Sequence, residues 1–324
     1  MAAAKTALFS RPISGGVRSI ESQDITTGDR YFVDSGKTST GGDTVGHGDS
    51  PDRPFLTWDY AIGQTTENNG DIIYLMPGHA ETLSAALDVV LDKDGVKTQG
   101  LGWGRSVPTF TITTGAVEAP ISWTADDNIV DGIRIVGGNI GGSNETIRIE
   151  GTIGNVLSNT TFYSTATKEL GIGAGLGVIV LDDSATAVLD LSFINVKHYG
   201  GAGNDESFLA VNDGSQGTTF VFFEGCDIYG TFADDAIQAD AGTNVNTLWF
   251  IDDCRLINAG GNNIVATMDT AAVWYISDTE VYGSHTTTKP LVGVNASYLN
   301  NVWSCEPGAA GGTALISTVT NWGA

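Results

Sequence analysis

The chain has 324 residues, with 38 acidic residues against 15 lysines and arginines for a formal net charge of −23. So acidic a surface repels phosphate backbones and anionic lipid, which argues against nucleic acid and membranes as partners, and no apolar run approaches the ~20 residues of a spanning helix. With 41% hydrophobic residues, 43 glycines and 8 prolines, the composition fits a packed core of many short strands joined by tight turns.

Residues 1–30 read as an extended N-terminal arm and residues 31–324 as one domain. The opening MAAAKTALFSRPISGG has one early lysine and no sustained apolar stretch after it, so no signal peptide is expected. Asp34, Asp43, Asp49 and Asp52 follow in a loop whose spacing matches no calcium-binding pattern, and these carboxylates are read as solvated. From Phe55 to Asn69 the residues Phe55, Trp58, Ala61 and Ile62 fall at helical spacing behind Pro54, which predicts a short capping helix. The strand DIIYLMPG and the stretch VVLDKDGVKTQGLGWGRSVPTFTI come next.

From Val130 onward one seven-residue phrase recurs: VDGIRIV, LSNTTFY, FINVKHY, FEGCDIY, IDDCRLI, ISDTEVY and LNNVWSC. Their starts lie 27, 36, 30, 28, 25 and 23 residues apart. A step that keeps its strands and varies its loops suits a single-stranded right-handed parallel β-helix, an all-β solenoid. The first position is always apolar. The third is Gly132, Asn159, Asn195, Gly225, Asp253, Asp278 or Asn301, residue types that tolerate left-handed backbone, so it marks a turn between two sheets. Positions four and six are expected to point inward and position five outward. A second phrase, from ETIRIEG and GVIVLDD to PLVGVNA and TALISTV, supplies a further strand to each coil.

Cys226 and Cys254 occupy the same inward position of consecutive coils. They are read as reduced filling, because stacking alone does not supply disulfide geometry and no CxxC or Cys–His cluster suggests zinc. No cofactor or metal is expected.

The stretch from Tyr31 to Thr111, with PFLTWDYAI, DIIYLMPGHAET and GLGWGR, resembles the start of pectin-lyase-like β-helices, where a helix caps the open end of the core. In wording it looks most like virion structural proteins of tailed bacteriophages that carry this fold. The resemblance implies a homotrimeric, virion-located capsid decoration or fibre-like protein. Its arm, residues 1–30, would dock on the major capsid protein or another virion protein.

The residues offer one candidate for catalysis. FADDAIQADAG places Asp234, Asp235 and Asp240 together, similar to the adjacent aspartates of polygalacturonase-like hydrolases, with Asp131 as a further member. The supporting GHG segment and basic clamp of that family do not occur, and aspartate is also an ordinary turn residue. SGKTST lacks the upstream glycine of a phosphate-binding loop, and GLGWGR lacks the third glycine of a dinucleotide fingerprint. A tailspike-like polysaccharide depolymerase therefore stands as the alternative to a structural role.

The seventh position carries Val136, Tyr163, Tyr199, Tyr229, Ile257 and Tyr282, and the residue before the phrase is Phe222, Phe250, Tyr275 and Tyr298 in successive coils. Both columns should face outward. Such stripes exceed what soluble monomers expose. Loop cover, a seam between three copies, and a platform for cell-surface glycan are the readings that compete, and the seam is favoured.

Overall fold

A computed structural model describes residues 26–304, apart from 114–118, 139–144, 166–168, 172–176, 183–185, 201–204, 212–216, 240–246, 261–264, 269–272, 284–290 and 293–297. Among the described residues, parallel strands stack into three sheets of ten, nine and eight strands, and sequence-adjacent coils are spatial neighbours in each. This is a parallel β-helix. Each coil contributes one strand to each sheet, so the core is a column of inward side chains running the length of the solenoid.

The recurring phrase spans the corner between the ten- and nine-stranded sheets. Register carries Val130, Leu157, Phe193, Phe223, Ile251, Ile276 and Leu299 onto one another in the first sheet. The third-position residues all adopt positive φ, from 47° at Asp278 to 74° at Gly132. One left-handed residue turns the chain from one sheet into the next. Side chains on this corner also bond along the axis: Asn195 Nδ2 donates to Asn159 Oδ1 at 2.7 Å, and Asn159 Nδ2 to Asp131 Oδ1 at 2.6 Å. The second phrase forms the eight-stranded sheet from Ile147–Glu150 through Leu291–Val292. TALISTV lies outside the described residues.

A second left-handed corner is not evident in the phrases. Gly70, Gly95, Asp127, Gly154, Asp190, Phe220 and Leu248 all have positive φ, and strand register places them on one another in successive coils. They turn the chain into the ten-stranded sheet. The first five are glycine or aspartate. Phe220 and Leu248 adopt φ 58°, where an L side chain costs about 1–2 kcal/mol.

The capping helix is shorter than the spacing predicts, Trp58–Gln64 in place of 55–69. Phe55 forms a parallel bridge with Val33. At the other end the Thr65 backbone and hydroxyl both bond Ile62 O, and Asp71 takes the Thr66 N–H at 2.8 Å. β-Branched residues and a carboxylate acceptor stop the helix there. Trp58, Ala61 and Ile62 are buried against the first coil, with Trp58 Nε1 donating to Thr98 Oγ1 at 3.0 Å. The PGHAET motif explains itself at this point: His79 Nδ1 accepts the Ser35 N–H, and Glu81 Oε2 accepts both His79 Nε2–H and the helix N-terminal Trp58 N–H. Residues 1–25 of the arm lie outside the described residues. The solenoid begins with Arg30–Val33, paired in parallel with Ile72–Leu75.

Cys226 and Cys254 are buried free thiols stacked in one column, as the repeats imply. The Cys226 N–H donates to Cys254 Sγ at 3.4 Å, and the Cys226 thiol to Phe193 O at 3.2 Å. The side-chain interaction with the Cys226 thiol, together with burial, pushes the Cys254 thiol up, which keeps it unreactive.

The corner predicts a graded mutational response. An added Cβ at Gly225 meets nothing within 4 Å, whereas at Gly132 it would approach Gly100 O at 2.9 Å. Gly225→Ala should therefore cost only the left-handed penalty, about 1 kcal/mol, and Gly132→Ala distinctly more, compared by urea midpoints.

Candidate functional site

Asp234 and Asp235, singled out in the sequence, are both engaged in hydrogen bonds of the fold. Asp234 and Asp235 lie just before the strand Ile237–Ala239 of the eight-stranded sheet. Asp235 is 5% exposed, and its carboxylate accepts the Thr267 hydroxyl from the next coil. Asp234 accepts Gln238 Nε2–H at 3.3 Å, while its backbone oxygen takes Asn258 Nδ2–H at 2.8 Å. The Thr267 and Asn258 bonds tie coil to coil. Asp131 sits on another sheet, three coils earlier, and accepts Ser158 Oγ–H and Asn159 Nδ2–H; at ~4.8 Å per coil it is at least about 14 Å away. Asp240 lies outside the described residues. Glu206, beside Asp234 in the preceding coil, has its carboxyl pushed above the usual range by burial and then by the Asp234 charge.

Of the acidic loop, Asp43 uses Oδ1 to accept the Leu56 and Thr57 N–H groups and Oδ2 to accept the Thr57 hydroxyl. Asp34 accepts the Gly36 N–H. These two carboxylates secure the chain ahead of the helix.

A polar cluster that the repeats concealed lies inside the solenoid. His198 occupies the inward sixth position, where the other coils place Ile135, Phe162, Ile228, Leu256 and Val281. Its Nε2 is 3.1 Å from Asp205 Oδ2 and its Nδ1 is 3.0 Å from Tyr229 O. Both partners are acceptors, so the two bonds form together only when both ring nitrogens carry protons. Asp205 also accepts the Ser164 hydroxyl and the Leu170 N–H. Serine, histidine and aspartate thus meet, but in the wrong order for nucleophilic catalysis. Ser164 and His198 converge on one carboxylate oxygen, so the hydroxyl is directed at Asp205 and not at the histidine, and all three are buried. The cluster is a lock across three coils. A lone polar residue in an apolar column was the signal that could have revealed it.

The outer columns do form, on two faces that flank the first corner. On the nine-stranded sheet, register stacks Val136, Tyr163, Tyr199, Tyr229, Ile257 and Tyr282. Tyr163 and Tyr229 are 39% and 40% exposed, and the others half-buried. Charged neighbours share this face: Arg134 lies 5.8 Å over the Tyr163 ring, and Arg255 makes a two-pronged bond to Asp227 at 2.8 and 2.6 Å. Burial and the nearby Asp227 push the Tyr199 phenol up. An open groove of about 560 Å³ ends this face, lined by Asp227, Arg255, Glu280 and Trp303 among others.

On the ten-stranded sheet, Phe222, Phe250, Tyr275 and Tyr298 form a continuous ladder. Ring centroids are 4.8, 5.0 and 4.8 Å apart, with interplanar angles of 8°, 7° and 6°. Each inner ring is covered on both faces by its neighbours and presents only its edge. A pyranose stacks on an aromatic face, and a coil spacing near 4.8 Å leaves no room for one between two rings. The inner rings of this ladder therefore offer edges for apolar packing.

No protein-family model matches the chain, and no curated protein matches it. Solved structures with related backbones exist. A rhamnogalacturonan lyase aligns over 84% of this chain and 73% of its own, at 14% identity and a TM-score of 0.49. ORF18 of Geobacillus virus E2 aligns over 86% of this chain and 62% of its own, at 13% identity and a TM-score of 0.46. At such identities the likeness concerns backbone architecture and carries no site across.

The Asp205 lock has a measurable signature. Burial alone would raise this carboxyl, but the bonds from His198, Ser164 and Leu170 hold it below its usual range. Its contribution is complete above the unfolded carboxyl value of about 4 and is lost as pH falls through the lower folded value. Asp205→Asn should cost about 3 kcal/mol at neutral pH, because it replaces the buried acceptor that His198, Ser164 and the Leu170 N–H share with a group that must place an amide among them. The same substitution should flatten the loss of stability below pH 4, both read from urea unfolding across pH.

Proposed function

We propose that this protein is a structural component of a bacteriophage virion that assembles side by side as a homotrimer. One observation carries the reading: an aromatic and aliphatic column, from Tyr163 to Tyr282, stands outward on the nine-stranded sheet without a break over five coils. A stripe of this kind is costly to leave wet and is suited to a seam between rigid walls. The resemblance of PFLTWDYAI, PGHAET and GLGWGR to phage virion proteins supplies the setting. Against a depolymerase stand the buried, hydrogen-bonded Asp235 and the distance of Asp131 from it. A glycan-binding role has one observation in its favour, Trp303, 65% exposed in the groove beside Arg255 and Glu280.

Light scattering on the purified chain tests the assembly. A trimer of about 100 kDa is expected from the 33.8 kDa chain, and Tyr229→Ser with Ile257→Asp should shift it toward the single-chain mass. A wild-type mass of 33.8 kDa at all concentrations would overturn the seam.

A further inference from the structure

The ladder face raises a separate question, which the tyrosine seam does not answer. Beside Phe222 and Phe250 stand Phe220 and Leu248, the two bulky residues in a left-handed corner column that earlier coils fill with glycine or aspartate. Phe220 is 44% exposed and Tyr298 63%, with Ile194 exposed on the same sheet. Strained backbone and exposed apolar surface coincide at Phe220. That combination is unfavourable in a bare wall and understandable in a covered one.

We infer that residues 1–20 of the same chain lie along this face as its cover. Charge is the first reason. Outward position two of this sheet carries Asp131, Glu224 and Asp252 and no lysine or arginine in any described coil from Asp131 to Asn300. Residues 1–20 hold Lys5, Arg11 and Arg18 and no aspartate or glutamate, in a chain whose acids outnumber its bases 38 to 15. An acid-rimmed apolar strip and a basic segment bearing Leu8, Phe9 and Ile13 are complementary in both respects.

Length is the second reason. Thr26 is hydrogen-bonded to Gly70 at the start of the solenoid. Six coil steps separate the strand that follows it, Arg30–Val33, from Thr218–Glu224, roughly 29 Å at ~4.8 Å per step. The 13 residues from Ile13 to Thr26 can extend over about 43 Å, so the segment reaches its own ladder with slack. Leu8 to Ile13 spans about 17 Å when extended, close to the length of the four-ring ladder. A tethered segment also acts at millimolar effective concentration, which favours the same chain over a second copy. The arm is thereby assigned to the wall of its own solenoid, in place of the capsid contact that the resemblance implies.

Disulfide trapping in the 324-residue chain tests this. Leu8→Cys and Tyr275→Cys are combined with Cys305→Ser, oxidised under dilute conditions and analysed by non-reducing electrophoresis with peptide mass mapping. An intrachain link between the two introduced cysteines is expected. A link found only between chains would overturn the inference in favour of a second copy, and no link would overturn it in favour of a different partner. Should the cysteine variants fail to fold, the triple variant Lys5→Glu, Arg11→Glu, Arg18→Glu gives an independent reading with the dye ANS. Its fluorescence should rise several-fold over wild type as the ladder is uncovered, and an unchanged signal would overturn the inference. Neither readout depends on the solution mass, so a monomeric protein can still pass both.

Discussion

Successive coils turn into the ten-stranded sheet on single left-handed residues from Gly70 to Leu248 and out of it on single left-handed residues from Gly132 to Asn301, and the rest of the structure depends on those two corners being kept in register. A left-handed residue is costly for most L side chains, so each corner is a position of narrow choice. Where the choice is glycine, asparagine or aspartate the corner is cheap, and asparagine and aspartate add side-chain bonds between neighbouring coils. Once the corners stack, every other residue is assigned a column. Inward, outward and turn positions then follow from period-two alternation alone.

Stacking at one residue per coil explains why like meets like throughout the molecule. Phe193 lies on Phe223 and Trp249 on Trp274 inside; Phe222, Phe250, Tyr275 and Tyr298 lie on one another outside. Inside, this fills the core with flat rings at the coil spacing. Outside, the same geometry hides ring faces and shows edges, which decides what such a surface can bind. It also sets the terms for polar residues. A buried carboxylate such as Asp205 or Asp235 must find donors in adjoining coils, and both do.

The functional reading grows from the outer walls and not from a cleft. Two aromatic columns flank one corner: the tyrosine column is interleaved with charged pairs, and the phenylalanine–tyrosine ladder is rimmed by acids. The two walls have different chemistry and so call for different partners. That asymmetry is the reason for assigning the first to a neighbouring copy and the second to the chain's own basic N-terminal segment.

The seven-residue phrase was enough to place the first corner, the inward fourth and sixth positions and both outer columns, because a solenoid converts sequence period directly into position. The stacked cysteines were legible for the same reason. The second corner was not, since its glycines and aspartates give way to Phe220 and Leu248, residue types that do not announce left-handed backbone. Nor was the early end of the helix at Gln64, which depends on a carboxylate five residues beyond Thr66 in the chain. Asp234 and Asp235 looked like a reactive pair as neighbours in sequence, and only the packing of the next coil, which brings Thr267 onto Asp235, commits that carboxylate to structure. What the sequence determined by itself was periodicity, because local turn chemistry and alternation write it residue by residue. What only tertiary structure decided was which polar groups meet across coils, because loops of unequal length set those meetings and leave no period to read.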